Sequence, residues 1–146
     1  MVQIKIIPTN LTYPIRHEVL RKGKPLESCY FENDDLPTTH HFGIFFEEEL
    51  IGVVSAFENK NETFQETTQL QIRGMAIMEQ YRNNNFGALL INRVEEFAEN
   101  HKMELLWFNA REKAVNFYKK NGYSVKGDPF EISNIGKHFL MFKKLV

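Results

Sequence analysis

Residues 82–87, Arg-Asn-Asn-Asn-Phe-Gly, form a short polar turn between two segments with different hydrophobic patterns. The segment before it, residues 70–78, is apolar and rich in residues that favour strands. After the turn, apolar residues recur at helical spacing and predict one apolar helix face, at Phe86, Leu89, Leu90, Val94 and Phe97. The turn is therefore expected to lead into a helix N-terminus. Unpaired backbone N–H groups and the positive end of the helix dipole at such a site suit a phosphate or pyrophosphate.

The overall composition bounds the class of protein. At 146 residues, the chain fits a single domain, residues 1–146, that can bury a core without disulfides. A net charge of −1 gives no sign of a nucleic-acid or membrane partner. The single cysteine, Cys29, excludes an internal disulfide and fits a reducing compartment. No apolar run is long enough to span a membrane, and the N-terminus is unlike a signal peptide, so we predict a soluble cytoplasmic protein.

Charge is distributed unevenly along the chain. Residues 27–66 carry ten acidic side chains and one basic one, whereas residues 101–146 carry nine Lys or Arg and four Asp or Glu. Charge runs of this kind usually form solvated surfaces, and we favour that explanation. The alternative is an acidic rim that concentrates a cationic amine, opposite a basic side that accepts an anionic cofactor.

The elements that must position these residues alternate between strands and helices. Strands are predicted at 2–7, 42–46, 50–57, 66–78, 104–109, 123–125 and 138–143. Helices are predicted at 11–22, with Thr12 as a candidate cap, at 86–100, and at 110–121. Residues 27–41 are predicted to form a loop or a broken short helix. This order indicates a mixed α/β fold with an antiparallel first half.

The turn and its flanking elements resemble motif A of the GNAT superfamily of N-acetyltransferases. The loop of that family reads Gln/Arg-x-x-Gly-x-Gly/Ala before a long helix; here Arg82 matches the first position and Gly87 the last. Asn85 occupies the middle glycine position. Asn tolerates positive φ better than most residues, so we expect the turn to keep its conformation. Ala76 and Ile77 match the small-apolar pair that the family places on the preceding strand.

Residues 105–123 resemble motif B of the same family. The family pattern is Asn-x-x-Ala-x-x-apolar-Tyr-x-x-x-Gly-Phe after a strand, and five residues match it in register: Ala114, Phe117, Tyr118, Gly122 and Tyr123. Arg111 stands where the family usually has Asn, and Asn109 is a candidate to serve instead. In many relatives the matching tyrosine protonates the departing coenzyme A thiolate, and the resemblance implies that role for Tyr118. Residues 109–111 and 136–141 also resemble the ElaA-like branch.

The resemblance implies one α/β GNAT domain, in which a mixed, mostly antiparallel sheet is flanked by helices and its central strands splay apart. It implies direct transfer of an acetyl group from acetyl-CoA, as cosubstrate, to an amine. The implied catalytic residue is Tyr118, and the implied cofactor-binding residues are Met75, Ala76, Ile77, Arg82, Asn83, Asn84, Asn85, Phe86, Gly87, Ala88 and Asn109. The family also allows a homodimer, which no residue here indicates.

Several alternatives stay open at this point. The departures at Asn85 and Arg111 leave open a catalytically silent acyl-CoA-binding regulatory module, and a pure interaction domain is a second alternative function.

A metal site is not expected, because His40 and His41 lack further ligands at suitable spacing. Arg73 is expected to pair with nearby acids. The acceptor is expected to be a small-molecule or peptide amine. The sequence does not distinguish between a polyamine, an aminoglycoside-like molecule, an amino acid and a protein N-terminus as the acceptor, although the acidic stretch at 27–66 favours a cationic one.

Overall fold

The computed structural model describes residues 1–145, and they form one eight-stranded sheet with helices on both faces. The strands are β1 (Val2–Ile7), β2 (His40–Phe46), β3 (Glu49–Glu58), β4 (Gln69–Ile77), β5 (Leu105–Arg111), β6 (Ser124–Val125), β7 (Phe130–Ile132) and β8 (Gly136–Lys144). The α-helices are α1 (Thr12–Leu20), α2 (Phe86–Asn100) and α3 (Val115–Lys120). The strand order is β1-β2-β3-β4-β5-β8-β6, and β7 pairs with β8. All pairs are antiparallel except β4 with β5, which confirms the predicted mixed sheet.

The β2–β3 hairpin forms where the sequence predicts it. Its two-residue turn, Glu47 and Glu48, has φ values of 48° and 70°. Positive φ at both turn residues matches the right-handed twist of the flanking strands. The hairpin places two strongly buried strands beside β4, at the centre of the sheet.

Two helices cover opposite faces of the sheet. Helix α2 packs Leu90, Val94 and the rest of its apolar side against β2, β3 and β4, and we call this side the α2 face. Helix α1 packs Ile15 against Val53 and Ala76 on the other side, the α1 face. No helix within residues 1–145 has both the length and the apolar character that crossing a lipid bilayer requires.

The predicted helix 86–100 is confirmed, but the prediction that Leu89 lies on its buried apolar face is wrong. Leu89 is 39% exposed, whereas Ile91 and Ala98 are fully buried. At 3.6 residues per turn, Ile91 and Ala98 extend the buried stripe away from position 89, which leaves Leu89 at the solvent edge.

The centre of the sheet opens between β4 and β5. These parallel strands pair only where Gln69–Gln71 meet Leu105–Trp107, and they separate beyond that point. A bulge in β4 sets two residues, Gly74 and Met75, opposite Val54 of β3. Gly74 has a φ of +67°, and a Cβ there would lie 2.9 Å from the Phe31 ring. The bulge and the separation confirm the expected splay of the central strands.

The segment after β5 differs from the prediction of a helix over residues 110–121. Ala110 and Arg111 still belong to β5, because they pair with Phe139 and His138 of β8. A short 3-10 turn follows before α3 begins at Val115. Sheet pairing thus overrides the local helix preference of this segment.

The start of α1 and strand β7 also differ from the predictions. Thr12 does not cap α1; its hydroxyl donates to the Thr9 carbonyl at 2.7 Å, since a 3-10 turn leads into the helix.

Strand β7 is not among the strands predicted from the sequence. This strand has only three residues, too few for an alternating pattern to show in the sequence.

A buried polar network holds the loop after α1 against the sheet. The guanidinium of Arg16 donates to both oxygens of Asp34, at 2.7 and 3.0 Å, and to Ser55 Oγ at 2.9 Å. His41 Nε2 donates to the Asp34 carbonyl at 2.9 Å, so in the neutral ring Nδ1 accepts from the Ser55 hydroxyl at 2.6 Å. The Phe31 N–H donates to Asp34 Oδ2 at 2.8 Å. Through these bonds the network sets Phe31 beside the opening in the sheet.

Candidate active site

A cavity of about 470 Å³ lies where β4 and β5 separate. Its walls come from β4 at 73–75, from β5 at 108–111, from the end of α1, from Phe31 and from Tyr118 of α3. A sheet with all its strands paired has no room for such a space. The splay between the two parallel strands therefore creates the cavity.

The cavity is lined by side chains from both faces of the sheet. Side chains alternate along β5, and Phe108 and Ala110 belong to the core beneath α2, so Asn109 and Arg111 point to the α1 face. On β4, Ile72 belongs to the α2-side core and Arg73 points to the α1 face. The cavity therefore offers one set of groups on the α2 face and another on the α1 face.

On the α2 face, the loop before α2 presents backbone donors. Asn85, at the middle position of the loop, adopts the positive φ that we expected, with φ 65° and ψ 11°. Asn83 also has a positive φ, of 66°. Helix α2 has no side-chain cap, and within residues 1–145 no hydrogen bond engages the backbone N–H groups of residues 83–88. Asn84 stabilises the turn by donating to the carbonyls of Tyr81 and Arg82. The loop can therefore donate to an anion.

Tyr118 forms part of the cavity wall, although only 7% of the residue is exposed. Its ring packs with its centroid 4.3 Å from that of Phe108 and 5.1 Å from that of Phe117. Burial raises the pKa of Tyr118 to about 12. The phenol is therefore protonated at neutral pH and can act as a proton donor.

The predicted cofactor-binding residues and the predicted catalytic residue, Tyr118, divide into two groups in the structure. Met75, Arg82, Asn109 and Tyr118 line the cavity together. The others lie outside its lining: Ala76 and Ile77 pair with β3, and residues 83–88 form the loop and the first turn of α2.

Two residues of this loop also have packing roles. The Phe86 side chain is buried against Phe46 and Tyr81, so only its backbone can face a ligand. A Cβ at Gly87 would lie 3.2 Å from the Phe117 ring, so the glycine lets α2 and α3 approach closely. A bulky substitution at Gly87 would therefore disturb this packing as well as the loop.

Sequence reasoning missed much of the basic character of the cavity. Among the residues that the structure describes, its lining includes five cationic ones, Arg21, Arg73, Arg82, Arg111 and Lys113, and no carboxylate. The expected partners of Arg73 are absent: no carboxylate oxygen within residues 1–145 lies within 4 Å of its guanidinium, which instead packs over Phe31 and Phe57. Only the coming together of distant segments reveals this cluster.

The acidic stretch does not form a rim around this cavity. Asp34 is buried against Arg16, and Glu47 and Glu48 form the distant β2–β3 turn. Glu32 and Glu58 line a neighbouring pocket of about 110 Å³ that shares Arg73 with the cavity. The alternative of an acidic rim is therefore wrong for the wall of the main cavity.

His138 is a further lining residue on the α1 face. It lies opposite Arg111 in the β5–β8 register and is 4% exposed. Its Nδ1 lies 2.8 Å from the Gly136 carbonyl, which can only accept, so Nδ1 is the nitrogen that donates. Among residues 1–145, no three His, Cys, Asp or Glu side chains are grouped so that they could hold a metal ion.

Known proteins resemble this chain in both sequence and fold. The model of the acetyltransferase (GNAT) family matches residues 10–123. The uncharacterized N-acetyltransferase YitI of Bacillus subtilis (strain 168) is 33% identical over 145 residues, covering 99% of this chain and 97% of its own length. An aminoglycoside 6'-N-acetyltransferase complexed with coenzyme A has a TM-score of 0.79 at 14% identity, covering 99% of this chain and 97% of that one. The ribosomal-protein-S18-alanine N-acetyltransferase of Escherichia coli has a TM-score of 0.75 at 13% identity, covering 99% and 94%.

These similarities differ in what they establish. The two solved structures share the fold at low identity, whereas the family match spans most of the chain and the Bacillus relative nearly all of it. The predicted fold class and the prediction of an acyltransferase are confirmed, and the ElaA-like branch stays a prediction. The chain belongs to the GNAT family of acetyltransferases.

Proposed function

We propose that this protein transfers an acetyl group from acetyl-CoA directly to the amine of an acceptor, with Tyr118 as the general acid. The observation that carries the proposal is the cavity between β4 and β5, which has an uncapped helix N-terminus on one side and a buried phenol in its wall. The family relationship supports the use of acetyl-CoA.

The loop before α2 is suited to hold the pyrophosphate of the coenzyme. The free N–H groups of residues 83–88 can donate to phosphate oxygens, and the dipole of the 15-residue α2 favours a negative charge there. Arg82, whose Nε donates to the Ile77 carbonyl at 3.2 Å, adds positive charge at the cavity wall.

Strand β4 is suited to hold the arm of the coenzyme. Beyond Gln71 its backbone no longer pairs with β5, so N–H and C=O groups around Met75, Ala76 and Ile77 are available on that side. Backbone N–H groups there can also stabilise the oxyanion that forms when an amine attacks the thioester carbonyl. Asn109 lies across the opening on β5 and can orient the same arm.

Tyr118 is suited to complete the reaction. Collapse of the tetrahedral intermediate expels a thiolate, and a phenol with a pKa of about 12 still holds its proton at neutral pH and can donate it. No covalent acetyl-enzyme is needed, and Cys29, the single thiol, is fully buried and is not part of the cavity wall.

Calorimetric titration tests the cofactor first. We expect acetyl-CoA to bind with a dissociation constant on the order of micromolar, and adenosine diphosphate to bind more weakly because it lacks the arm that β4 would hold. If neither binds, the proposed function is wrong and an interaction domain is favoured.

A thiol-release assay with a panel of amines then separates an enzyme from a silent module. We expect free coenzyme A to appear with at least one amine above the rate without amine. Binding of acetyl-CoA without release on any amine would favour the regulatory module.

A further inference from the structure

The α1 face of the cavity gathers guanidinium groups from three separate parts of the chain. Arg21 follows α1, Arg73 lies on β4 before the bulge, and Arg111 ends β5. All three line the cavity. They lie on the face opposite α2, whereas Arg82 adjoins the loop before α2. The three arginines therefore form a cluster distinct from the proposed pyrophosphate loop.

The Phe31 ring organises part of this cluster. The Cζ atoms of Arg73 and Arg21 lie 4.6 and 5.8 Å from the ring centroid, while Arg16 occupies a closer position at 3.8 Å. The face of an aromatic ring attracts a cation but accepts none of the in-plane N–H donors of a guanidinium. One Nη of Arg21 donates to the Leu20 carbonyl at 3.2 Å. The donors of Arg73 and the other donors of Arg21 thus stay available for a planar anion.

Within the described part of the chain, no carboxylate forms a salt bridge with this cluster. Asp34 is engaged by Arg16 in a bidentate pair. Within residues 1–145, no Asp or Glu oxygen lies within 4 Å of the Arg21, Arg73 or Arg111 guanidinium. Glu32 and Glu58 are the nearby acids, and they face the neighbouring pocket on the other side of Arg73.

Bringing these cations together carries an electrostatic cost. Burial, and then the charge of Arg16, lower the pKa of Arg73, although the charges of Asp34 and Glu32 oppose the shift. Burial, and then the charge of Arg21, lower the pKa of Arg111. A bound anion would relieve both effects, since it would pair with the guanidinium groups in a partly desolvated place.

We propose that the acceptor is a small amine that also carries a carboxylate, such as a free amino acid, and that Arg73 and Arg111 bind this carboxylate. Guanidinium groups match the geometry of a carboxylate, and a cavity of about 470 Å³ limits the size of the acceptor. The carboxylate stays on the α1 face, and the amino group crosses the opening toward the side of Tyr118. This inference rests on the proposed function and contradicts the cationic acceptor that the acidic stretch favours.

Matched amines test the proposal on the wild-type protein. The twenty common amino acids are compared with their carboxamides, and with spermidine and kanamycin, by release of free coenzyme A from acetyl-CoA. We expect at least one amino acid to be acetylated with a kcat/KM about tenfold or more above that of its carboxamide, because only the acid carries the anion. Equal or better turnover of the carboxamides, spermidine or kanamycin overturns the proposal.

Binding measurements separate failure of the proposal from failure of the proposed function. Acetyl-CoA is titrated alone, and the amino acids are then titrated in the presence of coenzyme A. If acetyl-CoA binds but no amino acid binds or reacts, the anionic acceptor is wrong and acetyl transfer to another amine stands. If acetyl-CoA does not bind, the proposed function itself is wrong.

Two variants, Arg111→Gln and Arg73→Gln, test whether these side chains bind the carboxylate of the acceptor. We expect each to raise KM for the preferred amino acid by about tenfold or more while kcat/KM for its carboxamide and Kd for acetyl-CoA stay within about twofold. Lys119→Gln removes an exposed cation outside the cavity and should change none of these values. Equal losses for the acid and its carboxamide would indicate a structural role, and weaker acetyl-CoA binding would place the arginines in the coenzyme site; either result overturns the proposal.

Discussion

At the scale of single residues, the environment of Tyr118 determines what chemistry it can do. The aromatic packing that buries its ring also raises its pKa to about 12, because a phenolate would be poorly solvated there. A raised pKa keeps the phenol protonated over the whole physiological range, so almost no phenolate is present to act as a base. Its place in the cavity wall is what the proposed role as proton donor to the leaving thiolate requires.

Tyr118→Phe should lower kcat by on the order of ten- to a thousand-fold, because it removes the proton donor while keeping the ring. The Kd for acetyl-CoA, measured by calorimetry, should change little. Tyr123→Phe is a matched control: Tyr123 is also buried, but its hydroxyl donates to Glu95 and it does not line the cavity. A Tyr118→Phe enzyme with unchanged kcat would remove Tyr118 from the mechanism.

At the scale of elements, one strand and one helix create the site through irregularities at their ends. The bulge at Gly74 and Met75 interrupts the pairing of β4 with β3, which resumes at Ala76, and the strand also leaves β5 after Gln71. Helix α2 starts from a left-handed residue, Asn85, and so leaves its first N–H groups uncapped. A regular sheet followed by a capped helix would present neither an opening nor free donors.

The left-handed conformation of Asn85 predicts different effects for two substitutions. Asn85→Gly should keep the Kd for acetyl-CoA within about twofold, because glycine adopts positive φ readily. Asn85→Val should weaken binding by about fivefold or more, because a β-branched residue is strained at a φ of 65°. Calorimetric titration compares the two variants, and equal affinities would show that the loop conformation does not matter for the coenzyme.

At the scale of the whole molecule, the buried network of Arg16, Asp34, Ser55 and His41 joins α1 and its following loop to the sheet. Burial lowers the pKa of His41 below its ordinary value of 6.5, although its contact with the Asp34 carbonyl opposes the shift. The folded protein therefore binds a proton at His41 less readily than the unfolded chain does. As the pH falls, His41 should therefore be protonated in the unfolded chain before it is protonated in the folded protein, which lowers the free energy of unfolding.

This difference in proton binding predicts how stability depends on pH. Above about pH 6.5, His41 is neutral in both states, so its ionisation should not affect the free energy of unfolding. As the pH decreases from about 6.5 toward the lower pKa of His41 in the folded state, the free energy of unfolding should fall, by at most about 1.4 kcal/mol per pH unit. Urea unfolding of the wild type and of His41→Gln across this range measures the effect. His41→Gln should show a shallower dependence on pH, and an identical dependence in both proteins would contradict the assignment.

Local patterns in the sequence determined the elements and the outline of the site. The helical spacing from Phe86 onward predicted α2 with its observed bounds, and the flanking motifs placed Arg82, Asn85 and Tyr118 on the correct elements. These features are local, because helix periodicity, turn residues and motif spacing depend on residues a few positions apart.

Only the tertiary structure decided how these elements meet. Pairing with β8 made Ala110 and Arg111 part of a strand, and the separation of β4 from β5 opened the cavity. Arg21, Arg73 and Arg111 are far apart in the sequence and share one face only because α1, β4 and β5 converge there. Such contacts depend on long-range strand pairing and on which face each side chain takes, which local spacing along one chain does not contain.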